Sequence, residues 1–491
     1  MPKRLRNNHG SALLMAVLVM LMLTLIFAAA VNTSITDIDI ARNAKDRTSA
    51  FYIAEAGLEF ALGVLRDTPS ELDNDTLVSL TDASYALGNG SFSLEVDGAT
   101  PYWAVTSHGS SSGGKASVEV AIKRRRNAYN VWNNVVCGGT GRNKQLMNGN
   151  ASLHGSVHIC GDSLTQLDPA FTISGSGGIF NNYSGMEAAL SSRLPALDTI
   201  TFNGEVVRTL NAELRAERGR IDLDGTGTVG NPDAPGGSPP VKETMDGCYV
   251  EDGFGGNSGE GNVFSDNGTT EGYDLEVELD FPDLNDPYTD PNTGIMYATY
   301  LSYLRNNALV ISGDLTLMPG VSLSPMSNGF GSISMDANGN LQISGIVYVT
   351  GKITVQEDIA GDNDGLPLLF DGKGTLVSQG NTLIDTDILS KGTFPTDDVL
   401  GFISAQDLQI SRSGGETHLN VMGAFFAQGQ ISNYKQNQVA GALVANYMEI
   451  YNVPDLFHVP SIAENLPPGM PGHEVSAYTY EMVNGTWREL W

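Results

Sequence analysis

The chain has 491 residues and a net charge of −29, from 56 acids against 27 bases. No basic stripe is present to neutralise phosphates, which argues against nucleic-acid binding. The length exceeds that of one small domain and is enough to bury a sizeable core.

The leader MPKRLRNNHG carries Lys3, Arg4 and Arg6 and no acid. From Ser11 to Val31 run 21 residues without a charge. At about 1.5 Å per residue, a helix of that length crosses ~30 Å of hydrocarbon. The leader cations should stay cytoplasmic, with Asp37 and Asp39 on the far side. The run is longer than the ~7–15 apolar residues of a secretory signal, and a plain single-span anchor is the competing reading. Beyond it, Phe51, Ala54, Leu58, Ala61, Leu62 and Leu65 recur at spacings of three and four, which makes one apolar helix face. Gly57 and Gly63 weaken that helix by about 1 kcal/mol each. Asp67-Thr68-Pro69 ends it, because proline disfavours helix in the residue before it. The expectation is one helix from Ser11 to Arg66, half in lipid and half under a globular domain.

Residues 42–62, RNAKDRTSAFYIAEAGLEFAL, contain the phrase Ala50-Phe51-Tyr52-Ile53-Ala54-Glu55-Ala56-Gly57. With the basic leader, Gly10 and the apolar run, this segment resembles the N-terminus of the PilX-like minor pilins of type IV pili. The resemblance covers residues 1–66 well and 86–125 loosely. It implies cleavage after Gly10 by prepilin peptidase and a methylated N-terminus at Ser11. The fifth mature position is usually Glu in pilins and is Met15 here. A carboxylate in hydrocarbon persists mainly when paired, so its loss removes one assembly contact. That points to a tip or initiating subunit instead of a repeating one.

Residues 67–128 read as a small pilin-like sheet. Its strands are SFSLEVDG, YWAVTSHG and KASVEVAIKR, with turns at Asp97-Gly98 and Ser110 to Gly114. Lys123-Arg124-Arg125-Arg126 reads as a solvated domain edge.

From 129 to 460 short β-rich runs alternate with Gly, Asn and Asp. A phrase recurs: Gly345-IVYVT-Gly351-KITV, Gly374-TLVSQ-Gly380-NTLI, Gly401-FISAQ-Asp407-LQI, Gly423-AFFAQ-Gly429-QI and Gly441-ALVAN-Tyr447-MEI. Weaker copies begin at Asn307 and Gly155. Irregular rungs of about twenty residues predict a parallel β-helix, since no single coil can bury its apolar face. A β-sandwich is the runner-up. Two stretches should interrupt the coil: 186–220 as short helices or a loop, and 224–296 as a flexible Gly/Asp/Asn/Pro-rich insertion. Residues 461–491 should form a cap and a hairpin around Asn484-Gly485 that covers the last rung. The fold class is therefore α+β: a long pilin-like helix, a small antiparallel sheet, then a mainly-β solenoid.

Three cysteines are present, Cys137, Cys160 and Cys248. An exported domain meets an oxidising compartment. The expected disulfide is Cys137–Cys160, with Cys248 unpaired, although spacing alone does not fix the connectivity.

Several motifs are candidate sites. Gly161-Asp162-Ser163-Leu164 matches a short hydrolase signature but sits in a β repeat. Gly109-Ser110-Ser111-Ser112-Gly113 fits G-x-S-x-G without the helix that a nucleophile elbow needs. His154, His158 and Cys160 share one strand parity and are zinc-type donors, but the bland reading is surface histidines. Asp283, Asp286 and Asp290, and likewise Asp358, Asp362 and Asp364, read first as solvated turn residues and second as calcium ligands; neither set fits an EF-hand. No catalytic residue, cofactor or metal is expected, and the chain is read as a non-enzyme.

The resemblance implies a minor pilin or pilus-tip subunit with a structural and adhesive role. Its place would be the bacterial inner membrane, as a single pass with the C-terminus outside the cytoplasm, and the pilus surface. Implied partners are other pilins and minor pilins, prepilin peptidase, the inner-membrane assembly platform, and a tip adhesin or a host or abiotic surface. The alternatives are a pseudopilin of type II secretion and an anchored β-helical envelope protein that binds or acts on carbohydrate.

Overall fold

The computed structural model describes residues 9–66, 77–81, 83–99, 102–126, 130–139, 145–161, 164–202, 205–233, 240–268, 279–357, 365–411, 418–472, 478–483 and 486–490. The chain divides into two compact units, residues 1–127 with 478–491, and residues 128–477.

In the first unit, α1 (His9–Arg66) is one uninterrupted 58-residue helix. Its C-terminal half buries Ala50, Ile53, Ala54, Leu58, Ala61, Leu62 and Leu65. These follow the three-and-four spacing of an amphipathic helix. Phe51 lies at the edge of this face, half-buried, and Ala50 and Ile53 complete it. The face packs on an antiparallel sheet of β1 (Ser84–Leu87), β2 (Gly90–Ala99), β3 (Tyr102–Ser111) and β4 (Gly114–Arg126). Phe92, Leu94, Trp103, Val105, Val118, Val120 and Ile122 supply the other side of that core. Two glycines set the packing distance. A Cβ at Gly109 would run into Ala50 O and lie 2.6 Å from Ala54 N, so helix and strand meet backbone to backbone there. Gly57 faces Ser107 Oγ and would bring a Cβ to 2.8 Å from the Phe92 ring, whereas a Cβ at Gly63 would meet nothing within 4 Å.

The C-terminal hairpin does not cap the solenoid. Tyr478–Met482 and Arg488–Leu490 both pair antiparallel with β4, from Tyr478 opposite Arg126 to Leu490 opposite Ser117. Arg488 Nε donates to Glu119 Oε1 at 2.8 Å, and Arg47 and Glu489 form an ion pair at 3.0 Å. The run Lys123–Arg126 is therefore an interior strand end, with Lys123 buried. The large unit is thus an insertion between β4 and the last two strands of a pilin-like head.

The second unit is a parallel β-helix built on three in-register ladders. One places Leu309, Val347, Leu376, Phe402, Phe425, Leu443, Val136, Val157, Leu214 and Cys248 above one another. A second runs Leu315, Ile353, Thr382, Leu408, Ile431 and Met448, then from Ile450 to Met147, Ile173 and Leu223. The third runs Leu368, Ile388, Val421, Val439, Leu456, Leu153, Ile179 and Val229, all fully buried. Each such side chain contributes about 1.5–3 kcal/mol by leaving water.

These ladders show that coil order is not chain order. The chain arrives mid-solenoid, with Val136 beside Leu443, winds out to Val250, crosses back to Leu309 and winds again to Ala445. The last strand, Asp455–His458, sits between Gln438–Gly441 and Ser152–His154. Both ends of the insertion are therefore in neighbouring coils.

The return segment follows the outer side of the first ladder. Phe281 stacks on Phe426 at 5.6 Å and 18°, and Leu284 N donates to Gln428 Oε1 at 2.8 Å. The helix Tyr300–Asn306 follows, capped by Thr299 and Ser302.

Several expectations need correction. Residues 213–216, read as helix or loop, form a strand whose Leu214 and Ala216 enter the first ladder; burial in the ladder overrides the helix propensity of LNAELRAERGR. Among the described residues of this region, only Ala188–Ser191 is α-helical. The region 224–296 is not one insertion, since Thr228–Val229, Gly247–Val250 and Phe254–Gly255 belong to coils. The repeat phrase also slips once. Gly345 stands opposite Gly374, and Gly423 opposite Gly441, but Gly401 stands opposite Thr375 and Ala424, one place further on.

Candidate functional site: an exposed apolar helix and a buried cysteine–histidine cluster

The N-terminal part of α1 is exposed within its unit. Leu13, Leu14, Met15, Val17, Leu18, Met20, Leu21, Leu25, Ile26 and Phe27 are all open. Monomeric soluble proteins rarely expose so large a continuous apolar surface. Two hydroxyls, one in the run and one just past it, are satisfied locally. Thr24 donates to Leu21 O at 2.8 Å and Thr33 to Ala29 O at 3.0 Å. Hydroxyls bonded back to the helix carry no desolvation penalty into an apolar medium. Met15 is 71% exposed. Gly10 and Ser11 lie in the first turns of α1. Lys3, Arg4 and Arg6 lie outside the described residues.

The second feature is inside the solenoid unit. The strands Val136–Gly138 and Val157–Ile159 pair with Cys137 opposite His158. Val136, Val157 and Leu214 point into the coil, so the alternation of a strand puts Cys137 and His158 on its outer side. Glu217 follows the next strand and its N donates to Ile159 O at 2.9 Å. This brings Glu217 Oε1 to 2.6 Å from His158 Nε2. Leu279 N also donates to Glu217 Oε1, so the return segment lies across the cluster. Among the described residues, His158, Cys160 and Glu217 form one group of metal-type donors with ligand atoms within 4.8 Å of one another. Cys137 adjoins Cys160 thiol to thiol.

Burial alone would lower the His158 pKa; the Cys160 and Glu217 side chains outweigh it and raise it. The Cys160 thiol is pushed strongly upward, first by its hydrogen bond with Cys137 and then by burial. The order Cys160–His158–Glu217 has the sequence of a nucleophilic triad, but a nucleophile must be an accessible thiolate. Cys160 is buried and held as a thiol, so the arrangement does not present one.

The remaining sequence candidates are dispersed. All three cysteines are free thiols, which corrects the expected Cys137–Cys160 disulfide, and burial pushes Cys248 up to about 12. His154 does not join the cluster. It stacks on Phe457 at 4.5 Å, and Asn182 O lies 2.8 Å from its Nδ1. Burial lowers its pKa to about 4. Asp283 Oδ1 accepts from Asn285 N at 2.7 Å, and Asp290 accepts from Asn292 N and from Thr293 Oγ1 at 2.9 and 2.7 Å. The backbone N of Asp286 donates to Asp283 O at 3.1 Å. These groups close their own turns instead of converging on a centre. Asp358, Asp362 and Asp364 lie outside the described residues, as do Asp162 and Ser163. Gly109 to Gly113 span the β3–β4 hairpin, with no helix after the serine.

Residues 9–59 match the PilX N-terminal family. The competence-associated pilin ComZ from Thermus thermophilus is similar in structure, with a TM-score of 0.51 and 19% identity over 89% of this chain and 98% of that one. No curated protein matches the chain. The chain therefore carries a PilX-type N-terminal segment on a pilin fold.

Proposed function

We propose that this chain is a minor pilin, acting as a tip or initiating subunit of a type IV pilus. The observation that carries this reading is the two-part α1. Its N-terminal half exposes a continuous apolar surface, and its C-terminal half is sealed under the sheet. Such a surface is stable in lipid or against like helices in a filament core, and the same segment serves both states in turn. Prepilin peptidase cuts after Gly10 and Ser11 becomes the mature N-terminus. Asp37 and Asp39 then lie on the side away from the cytoplasm, which puts both folded units outside it. The role is structural and adhesive, not catalytic. Met15 and the 350-residue insertion, 128–477, support low copy number, since a repeating shaft subunit would need both the paired carboxylate and a small head. Partners are other pilins, the inner-membrane assembly platform and whatever surface the solenoid meets.

Immunogold labelling of sheared pili with antibody to the solenoid tests the placement. Gold at filament ends is the expected result. Gold spread along the shaft would make the chain a repeating subunit, and pili free of label would remove it from the filament.

A further inference from the structure

We propose that Cys137, His158 and Cys160 form a zinc site on the outer side of the first ladder, with Glu217 fixing the histidine ring. This inference is independent of the pilus assignment.

Four observations carry it. First, the donors are of the right chemistry, two thiols and an imidazole, which is a common zinc set. Second, register brings them together from two neighbouring coils: Cys137 lies opposite His158, and Cys160 comes one residue after the strand of His158, with its N donating to Gly138 O at 2.9 Å. Third, His158 Nδ1 is buried with no hydrogen-bond partner of good geometry, while the Cys160 side chain is its neighbour. A buried ring nitrogen held only by a thiol is weakly satisfied, and a metal ion satisfies it better. Fourth, the opposite ring nitrogen is already held. Glu217 Oε1 takes the Nε2 proton at 2.6 Å and is itself fixed by Leu279 N. That leaves Nδ1, the ring nitrogen beside the Cys160 side chain, as the one to meet the metal. Carboxylate–histidine–metal arrangements of this kind set the tautomer and raise ligand basicity.

The site is shut. Cys137 and Cys160 are 0% exposed, His158 1% and Glu217 3%, with Phe281 of the return segment lying over Gly139. So sealed a position gives a substrate no access, so the role of a metal there is structural. It ties together the coil where the chain arrives and the next coil out, beside the seam with Leu443. Binding displaces to solvent the two thiol protons and any proton on His158 Nδ1, so both sulfurs coordinate as thiolates and the ring as a neutral imidazole. One further small ligand completes four-coordination.

The test uses the full-length protein in detergent, loaded by dialysis against zinc and then freed of excess metal. One zinc per chain is expected by plasma mass spectrometry, with Cys137 and Cys160 protected from alkylation until the protein is denatured. Cobalt(II) in place of zinc should give thiolate-to-metal charge-transfer absorption. Cys160→Ser should abolish that absorption, and Glu217→Gln should keep it with roughly tenfold to hundredfold weaker affinity. If Cys160→Ser does not fold, the cobalt spectrum of the unmodified chain decides alone. No bound metal, a cobalt spectrum without thiolate absorption, or zinc content unchanged in folded Cys160→Ser would each overturn the site. A chain lighter by two hydrogens, with Cys137 and Cys160 joined, would overturn it in favour of a disulfide.

Discussion

Against the small sheet, α1 is held by close backbone approach. Gly109 and Gly57 sit where added atoms would strike Ala50, Ala54, Ser107 or Phe92. In the solenoid the same task falls to branched and aromatic side chains stacked in register, such as Leu456 between Val439 and Leu153. The first contact is at its closest distance and resists added volume. The second is a filled column and resists lost volume. Helix-on-sheet packing here depends on what glycine omits, and coil stacking depends on what each ladder residue supplies.

The largest effect should come from emptying a ladder position. Leu456→Ala should destabilise the solenoid by about 2–5 kcal/mol, through lost transfer energy plus a cavity. Hydrogen exchange by mass spectrometry on the full chain should show faster exchange in residues 128–477 and little change in α1. Equal loosening of both units would end the distinction.

Next in size is acid. His154 is buried neutral with its pKa lowered to about 4 from 6.5. The unfolded chain therefore binds the proton first, so stability is complete above pH 6.5 and falls as pH drops from 6.5 to 4. The full contribution is about 3 kcal/mol. Denaturation midpoints of the native chain and His154→Asn should converge as pH falls across that window. Parallel curves would show that His154 does not titrate this way.

Adding a methyl to the helix–sheet contact should cost less. Gly109→Ala should destabilise the first unit by about 1–3 kcal/mol, the usual range for overpacking. Exchange should quicken in α1 beyond Ala50 and in β3, with the coils unaffected. The smallest effect has the opposite sign. Gly63 has open space around its Cβ position, so Gly63→Ala should stabilise α1 by up to about 1 kcal/mol. A loss of stability there would mean that the glycine serves a contact.

Much of this contrast could be read from sequence. The spacing of Ala54, Leu58, Ala61, Leu62 and Leu65 marks a helix face, and the Gly-plus-five-residue phrase marks the coils. Periodicity reports which residues are buried, because burial repeats along the chain. It does not report which coil lies next to which. The pairing of Leu443 with Val136 spans more than 300 residues and leaves no local trace. The same holds for Tyr478–Met482, which alternates like any hairpin strand and finds its partner in β4. The slip at Gly401 leaves no mark on the phrase, whose glycines recur regardless, whereas the ladder aligns Phe402 with Leu376. In the buried cluster, His158 and Cys160 were legible as a parity pair. Glu217 was not, since its only signal was to lie one residue beyond a strand whose sequence reads as helix or loop. His154 shares the parity of the pair but faces Phe457, because a turn at Gly155 separates it from the strand of His158.

The claim on which the function rests is that this helix belongs to a processed pilin-like subunit. Mass spectrometry of the N-terminal peptide from the native membrane-bound protein tests it most directly. The predicted result is a chain beginning at methylated Ser11. A chain that retains Met1 to Gly10 would contradict it and leave an anchored β-helical envelope protein.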